Sequence, residues 1–238
     1  MNESSPLYDT RGTCLAELVI GMATTMLVLA GCFAVLHLVQ SAAGAEQRRI
    51  AEQQDLRIGL EVFGQEVRLT TADSFLTATM DVVEFLANIH GKHTNVTAPL
   101  SAGQSVLPVQ NGSDWAEGKT VEICGVSVCE AHRLSRPGQQ SVLTLDSPVG
   151  RSFPAGASVE MRNRVVYYTK EEVEGISLMR MVDGGASVLI GDLKTVTFSY
   201  RDRRGHVTWR PSEIANVVVE IRPKLTRGPY KRAVALRS

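Results

Sequence analysis

Apolar and polar positions follow three successive regimes along the chain. Residues 1–12, MNESSPLYDTRG, are polar. Residues 18–39, LVIGMATTMLVLAGCFAVLHLV, are apolar apart from two threonines, His37 and the Cys32 thiol. At about 1.5 Å per residue this run reaches about 33 Å as a helix, enough to cross a bilayer core of about 30 Å. Residues 45–69 contain no Pro and are rich in Glu, Gln, Arg and Leu, which favour helix. Leu56, Leu60, Phe63 and Val67 recur at +4, +3 and +4, a single helical stripe. The stripe lasts under two heptads, which points to a helix packed on a globular head and away from a coiled coil. One helix over residues 13–70 is expected, membrane-spanning over about 18–39. Gly44, Gly59 and Gly64 mark bends or close packing within it.

From residue 71 to 238 the apolar runs shorten to strand length. Strands are expected at 82–86, 120–124, 127–132, 141–145, 158–161, 165–169, 177–181, 195–200, 206–209 and 216–221, with Gly, Pro or Asp in most gaps. Residues 90–118 read as loop. Asp183-Gly184-Gly185 and Asp202-Arg203-Arg204-Gly205 are turn signals, and the spacing suits antiparallel hairpins. The fold class is therefore α+β: a leader over 1–12, a long N-terminal helix over 13–70 and a β-sheet-rich head over 71–238.

Composition narrows the function. Hydrophobic residues at 44% and charged residues at 21% exclude a disordered chain. Lys plus Arg, 25, balances Asp plus Glu, 25, so the basic excess of a nucleic-acid binder is missing. Arg201, Arg203, Arg204, Arg210, Arg222, Lys224, Arg227, Lys231, Arg232 and Arg237 do make the C-terminal part basic. A solvated strand-edge surface is the favoured reading of these charges, ahead of DNA contact.

Candidate chemistry is thin. His90 and His93 offer two imidazoles in a loop with no adjacent third or fourth metal ligand. Cys124 and Cys129, a C-x4-C pair, read as half a zinc site, but Cys14 and Cys32 lie in the membrane segment and cannot complete it. A disulfide across the Gly125 turn is expected of an extracytoplasmic head, with two free thiols as the alternative. Asp146-Ser147 and the scattered histidines define no triad, and no Gly-rich phosphate loop occurs. Catalytic residues, cofactors, metals and a small-molecule substrate are not expected.

The N-terminal segment is more specific. A secretory signal has a basic start and an apolar run of 7–15 residues; this start is nearly neutral and this run is longer. Leu29-Ala30-Gly31-Cys32 looks like a lipobox, yet Phe33-Ala34-Val35-Leu36 continues the apolar run after it. Glu17 stands at the mouth of the apolar helix; an unpaired carboxylate near the membrane interior costs about 3 kcal/mol. Its surroundings, Arg11-Gly12-Thr13-Cys14-Leu15-Ala16-Glu17-Leu18, resemble the prepilin cleavage and N-methylation site of type IV pilins and pseudopilins. Gly12, Leu15, Glu17 and Leu18 match that pattern; Thr13 stands where the family usually has Phe, and Cys14 where Thr is common. The head carries looser likenesses: Asn163-Arg164-Val165-Val166-Tyr167-Tyr168, Leu178-Met179-Arg180, Leu189-Ile190-Gly191-Asp192-Leu193, Val196-Thr197-Phe198-Ser199-Tyr200 and Val217-Val218-Val219-Glu220-Ile221. Together these resemble PilW-type minor pilins and J-type minor pseudopilins.

The resemblance implies a structural, non-enzymatic subunit of a type IV pilus or type II secretion pseudopilus. A prepilin peptidase would cut between Gly12 and Thr13, and Thr13 would carry the N-methylated amine. Glu17, at i+4 from Thr13, would pair with a neighbouring subunit's amine on assembly. The chain would cross the inner membrane once, with its head in the periplasm or extracytoplasmic space, and reach a filament tip. Its partners would be other pilins, the peptidase and the inner-membrane assembly platform. Two rivals remain open here: a lipoprotein anchored at Cys32, and a signal-anchored extracytoplasmic binding module.

Overall fold

Helix α1, Thr13–Val67, runs without a break through both helix-favouring regimes of the sequence. The computed structural model describes residues 13–173, 175–224 and 228–237. Its contacts divide the chain between Glu52 and Gln53, so the two units are taken in turn.

In the first unit the apolar side chains of residues 15–39 are exposed along the helix. Thr24 donates its hydroxyl to the Ile20 and Gly21 carbonyls at 2.9 and 3.0 Å, and Thr25 donates to Gly21 O. The two hydroxyls in the apolar run are thereby satisfied by the helix's own backbone.

In the second unit the stripe reads as the sequence suggests. Leu56, Leu60, Phe63 and Val67 are buried on a large antiparallel sheet. Gly59 and Gly64 serve close packing: an added Cβ would fall 2.3 Å from Ile190 Cγ1 and 2.9 Å from Arg232 Nε, respectively. The helix stops at Val67, short of residue 70. The Leu69 and Thr70 amides turn back to the Glu66 and Val67 carbonyls, and the buried Thr70 hydroxyl bonds Leu86 O at 3.3 Å.

The main path of the sheet is β1 Phe75–Ala78, β2 Val82–Ala87, β8 Ser158–Glu172, β9 Gly175–Val182, β10 Gly185–Arg201, β11 Asn216–Pro223 and β12 Tyr230–Ala235, in that spatial order and antiparallel throughout. The first half of β8 also pairs β3, His93–Asn95, and β5, Thr120–Cys124; β5 in turn pairs β6, Cys129–Arg133. A separate ribbon joins β4, Val106–Pro108, to β7, Val142–Thr144. The architecture is α+β.

Two apolar clusters result. One gathers the helix stripe with Phe85, Val165, Tyr167, Phe198, Val217 and Val219. The other gathers Leu107, Trp115, Val121, Ile123, Leu143 and Val159. Strand β8 serves both, because its two halves face different partners.

Several sequence expectations need correction. Segments 158–161 and 165–169 are one strand, since the polar run Arg162-Asn163-Arg164 finds partners from the neighbouring strands β5 and β2 and from the β9–β10 turn. Arg162 pairs Glu122, Arg164 pairs Glu84 at 2.6 Å, and Asn163 donates to Asp183 at 2.8 Å. Strand β10 starts ten residues before 195. Residues 206–209 form only a bridge between Val207 and Arg201, with Trp209 packed edge-on against Tyr200 at 5.6 Å. The expected loop 90–118 holds β3 and β4, and β1 and β12 went unanticipated. Both turn signals do form turns. Asp183 and Gly184 take positive φ, 50° and 94°, in the two-residue link between β9 and β10. The Asp202 carboxylate accepts the Arg204 and His206 amides, each at 2.8 Å.

Candidate functional site

The sequence placed its functional residues at the start of α1 and at a cysteine hairpin. Gly12 lies outside the described residues, and Thr13 is the first residue of α1. Glu17 is exposed, one turn on, and has no ion pair among the described residues. The helix containing residues 15–67 is long and apolar enough to cross a membrane, and its apolar part is exposed. Cys32 is a free, exposed thiol midway along the apolar run.

The cysteine hairpin is built by register. Cys124 ends β5, Cys129 begins β6, and the two are direct cross-strand partners. Their sulfurs are joined as a disulfide, 2.11 Å apart. The chain turns at Gly125, and Val126 stands fully exposed at the tip.

Alternation along the strands gives this part of the sheet two different faces. On one face, His93, Glu160 and Glu122 stand side by side across β3, β8 and β5; Asn95, Ser158, Cys124 and Cys129 form the next row. Arg162 lies on the same face and bonds Glu122 Oε2 through Nε, at 2.9 Å, and Nη2. A cavity of about 400 Å³ opens there, with His93, Glu122, Cys124, Glu160 and Arg162 in its lining. His90 is exposed and does not line it.

The opposite face is apolar, and its outer strand carries Glu130 and His132 opposite the buried Ile123 and Val121. Here the structure assembles what the sequence kept apart. His132 contacts Ser147 Oγ through Nδ1 at 3.0 Å and Glu130 Oε2 through Nε2 at 3.2 Å; Ser147 donates to Asp146 at 3.1 Å. The Gly150 amide, 2.8 Å away, is the main influence holding the Glu130 carboxyl below its usual range, against burial and with help from His132. The connectivity imitates a Ser-His-acid triad, but Pro148 has no N–H and the Gly150 N–H is committed to Glu130. With the Val149 N–H donated to Gln104 O, none of the three residues that follow Ser147 offers a free oxyanion donor. Inward-facing charge on an outer strand, covered by residues 146–150, is a known defence against edge-to-edge pairing. Sequence spacing carried no signal for it, because Glu130, His132 and Ser147 meet only through the loop that returns after β7.

No protein-family model, curated protein or solved structure matches this chain.

Proposed function

We propose that the chain is a minor pilin or pseudopilin, a structural subunit carried in the inner membrane and processed by a prepilin peptidase at Gly12–Thr13. The observation that carries this reading is the division of labour along α1. Its first part exposes an apolar surface on all sides, and its last turns bury Leu56, Leu60, Phe63 and Val67 on an antiparallel sheet. A helix made this way has two solvents: lipid, or the packed helices of a filament, for one part and a protein core for the other. Glu17 at the entrance adds a charge that lacks a partner within the described chain and gains one from a staggered neighbour's amine. The remaining partners are other pilins and the membrane assembly platform, and the head acts by contact, without chemistry of its own.

The test is the N-terminus of the mature protein. Membrane-bound chain co-expressed with a prepilin peptidase should begin at Thr13, with the apolar helix retained. An intact Met1 moves the assignment to a signal-anchored module. A terminus at Cys32, labelled by palmitate, moves it to a lipoprotein.

A further inference from the structure

We propose that reduction of the Cys124–Cys129 disulfide converts the end of the β5–β6 hairpin into a metal site of thiolate and carboxylate donors, suited to Zn²⁺. The C-x4-C pair lacks further cysteines to complete such a site, but the sheet register supplies a different third donor. Glu122 precedes Cys124 by two residues on the same face of β5. Its carboxylate and the two sulfurs all lie within 4.8 Å of one another. Strand β5 is hydrogen-bonded on both sides, to β6 and β8, so the donors stand on a backbone that holds their spacing.

The electrostatics suit a dication. Arg162 engages Glu122 Oε2 through both of its contacts, and Oε1 carries no hydrogen bond among the described residues. Two thiolates and one carboxylate sum to −3, which Zn²⁺ and Arg162 neutralise. Glu160 stands directly opposite Glu122 in the ladder, and like charges placed so repel, which further favours a cation. Thiolate with carboxylate selects zinc over the hard, oxygen-seeking Mg²⁺ and Ca²⁺. The fourth position faces the 400 Å³ cavity and takes water.

The gating follows from the chemistry. A dithiol reductant transfers two electrons and two protons; the S–S bond breaks, two thiols form, and the reductant closes its own disulfide. Metal binding then releases both thiol protons to solvent. The sulfurs must separate to about 3.8 Å to sit at tetrahedral positions about 2.3 Å from zinc, a change made by side-chain rotation. In the disulfide neither sulfur is an anion, so the oxidised hairpin has no comparable affinity. Cys129 is exposed, so a reductant reaches it.

The experiment uses the full-length chain in detergent with Cys14→Ser and Cys32→Ser, which remove the thiols of the apolar segment. Co²⁺ alone is the probe, added before and after reduction, with the reductant removed under argon. The reduced protein should take up one equivalent, with a near-ultraviolet thiolate-to-cobalt band and the visible bands of tetrahedral cobalt. Equimolar Zn²⁺ should abolish both, and the unreduced protein should show neither. Glu122→Gln should weaken Co²⁺ binding by about tenfold or more, a loss seen even for outer-shell partners. The proposal is overturned by a reduced, folded protein without the thiolate band, or by equal binding to the oxidised form. Unchanged affinity in Glu122→Gln overturns it too. So does loss of the sheet signal in circular dichroism on reduction without metal uptake, because the hairpin would then need its disulfide to exist.

Discussion

Gly59 of α1 lies so close under Ile190 of β10 that a Cβ on residue 59 would stand 2.3 Å from Ile190 Cγ1 and 2.7 Å from Cδ1. Helix and sheet meet there backbone to side chain, with no room for a methyl group. Overpacking of this kind costs about 1–3 kcal/mol, while Gly to Ala in a helix gains about 1 kcal/mol. Gly59→Ala should therefore lower head stability by up to about 2 kcal/mol. Gly44→Ala, where nothing lies within 4 Å, should not lower it. Guanidinium unfolding in detergent, followed by Trp115 and Trp209, reads both. A stabilised Gly59→Ala would show that the contact yields without cost.

Glu66 is the buried acid that ties the helix end to the sheet. Only 8% exposed, it takes the Tyr167 hydroxyl on one oxygen and Arg180 Nε on both, each at 3.0 Å. Removing its carboxylate strands a guanidinium whose side chain is 26% exposed. Glu66→Ala should cost about 3 kcal/mol, and Tyr167→Phe, which deletes one hydrogen bond, about 1 kcal/mol. The reverse ranking in the same unfolding assay would mean that the hydroxyl, and not the ion pair, holds this junction.

Acid should unfold the head through two carboxylates. Arg164 at 2.6 Å, more than Thr77 at 3.0 Å, holds the Glu84 carboxyl below its usual range against burial. Burial pushes the Asp183 carboxyl up, but Lys119 at 2.6 Å and the Asn163 amide and Arg164 N–H, each at 2.8 Å, outweigh it and bring it below its usual value. A depressed folded-state pKa means that the stabilisation is complete above the unfolded values, about 3.9 for Asp and 4.3 for Glu. It drains away as pH falls through them to the folded values. Lys119→Ala and Arg164→Ala should each flatten the fall in unfolding midpoint below about pH 4.5. Parallel acid limbs in all three proteins would remove these pairs from the explanation.

Under the proposed function, Glu17→Ala removes a charge from the edge of the apolar helix. Membrane insertion should be intact or slightly easier, since a helix-centre charge costs about 3 kcal/mol. Recovery of the chain in sheared filaments should fall. Wild-type recovery would exclude Glu17 as an assembly contact.

Legibility in the sequence followed local periodicity. The stripe Leu56, Leu60, Phe63 and Val67 could be read because each residue is buried on one side of one helix. The pattern predicts strand β5 at its observed bounds, Thr120–Cys124, because Val121 and Ile123 alternate with half-exposed neighbours. Strand β12 carries no clear strand signal because Lys231 and Arg232 interrupt its apolar positions. As an end strand it tolerates charge, and Arg232 reaches Glu61 at 2.8 Å. Strand β3, His-Thr-Asn, carries no strand signal of its own and exists by pairing β8. Of the candidate residues, the cysteine pair was visible as a spacing, but Glu122 gained meaning only from the register that sets it beside both sulfurs. The Glu130, His132 and Ser147 network was equally hidden, since its members meet across a returning loop.

The bond between Glu61 and Arg232 spans 171 residues of chain, and this sets a schedule during synthesis. At about 5–20 residues per second, the last strand leaves the ribosome roughly ten to thirty seconds after the helix it meets. Throughout that interval Leu56, Leu60 and Phe63 lack part of their eventual cover. The nascent chain therefore presents a greasy helix end for a span of time that chaperones can use. The head's first core closes only when nearly all of its strands have been made.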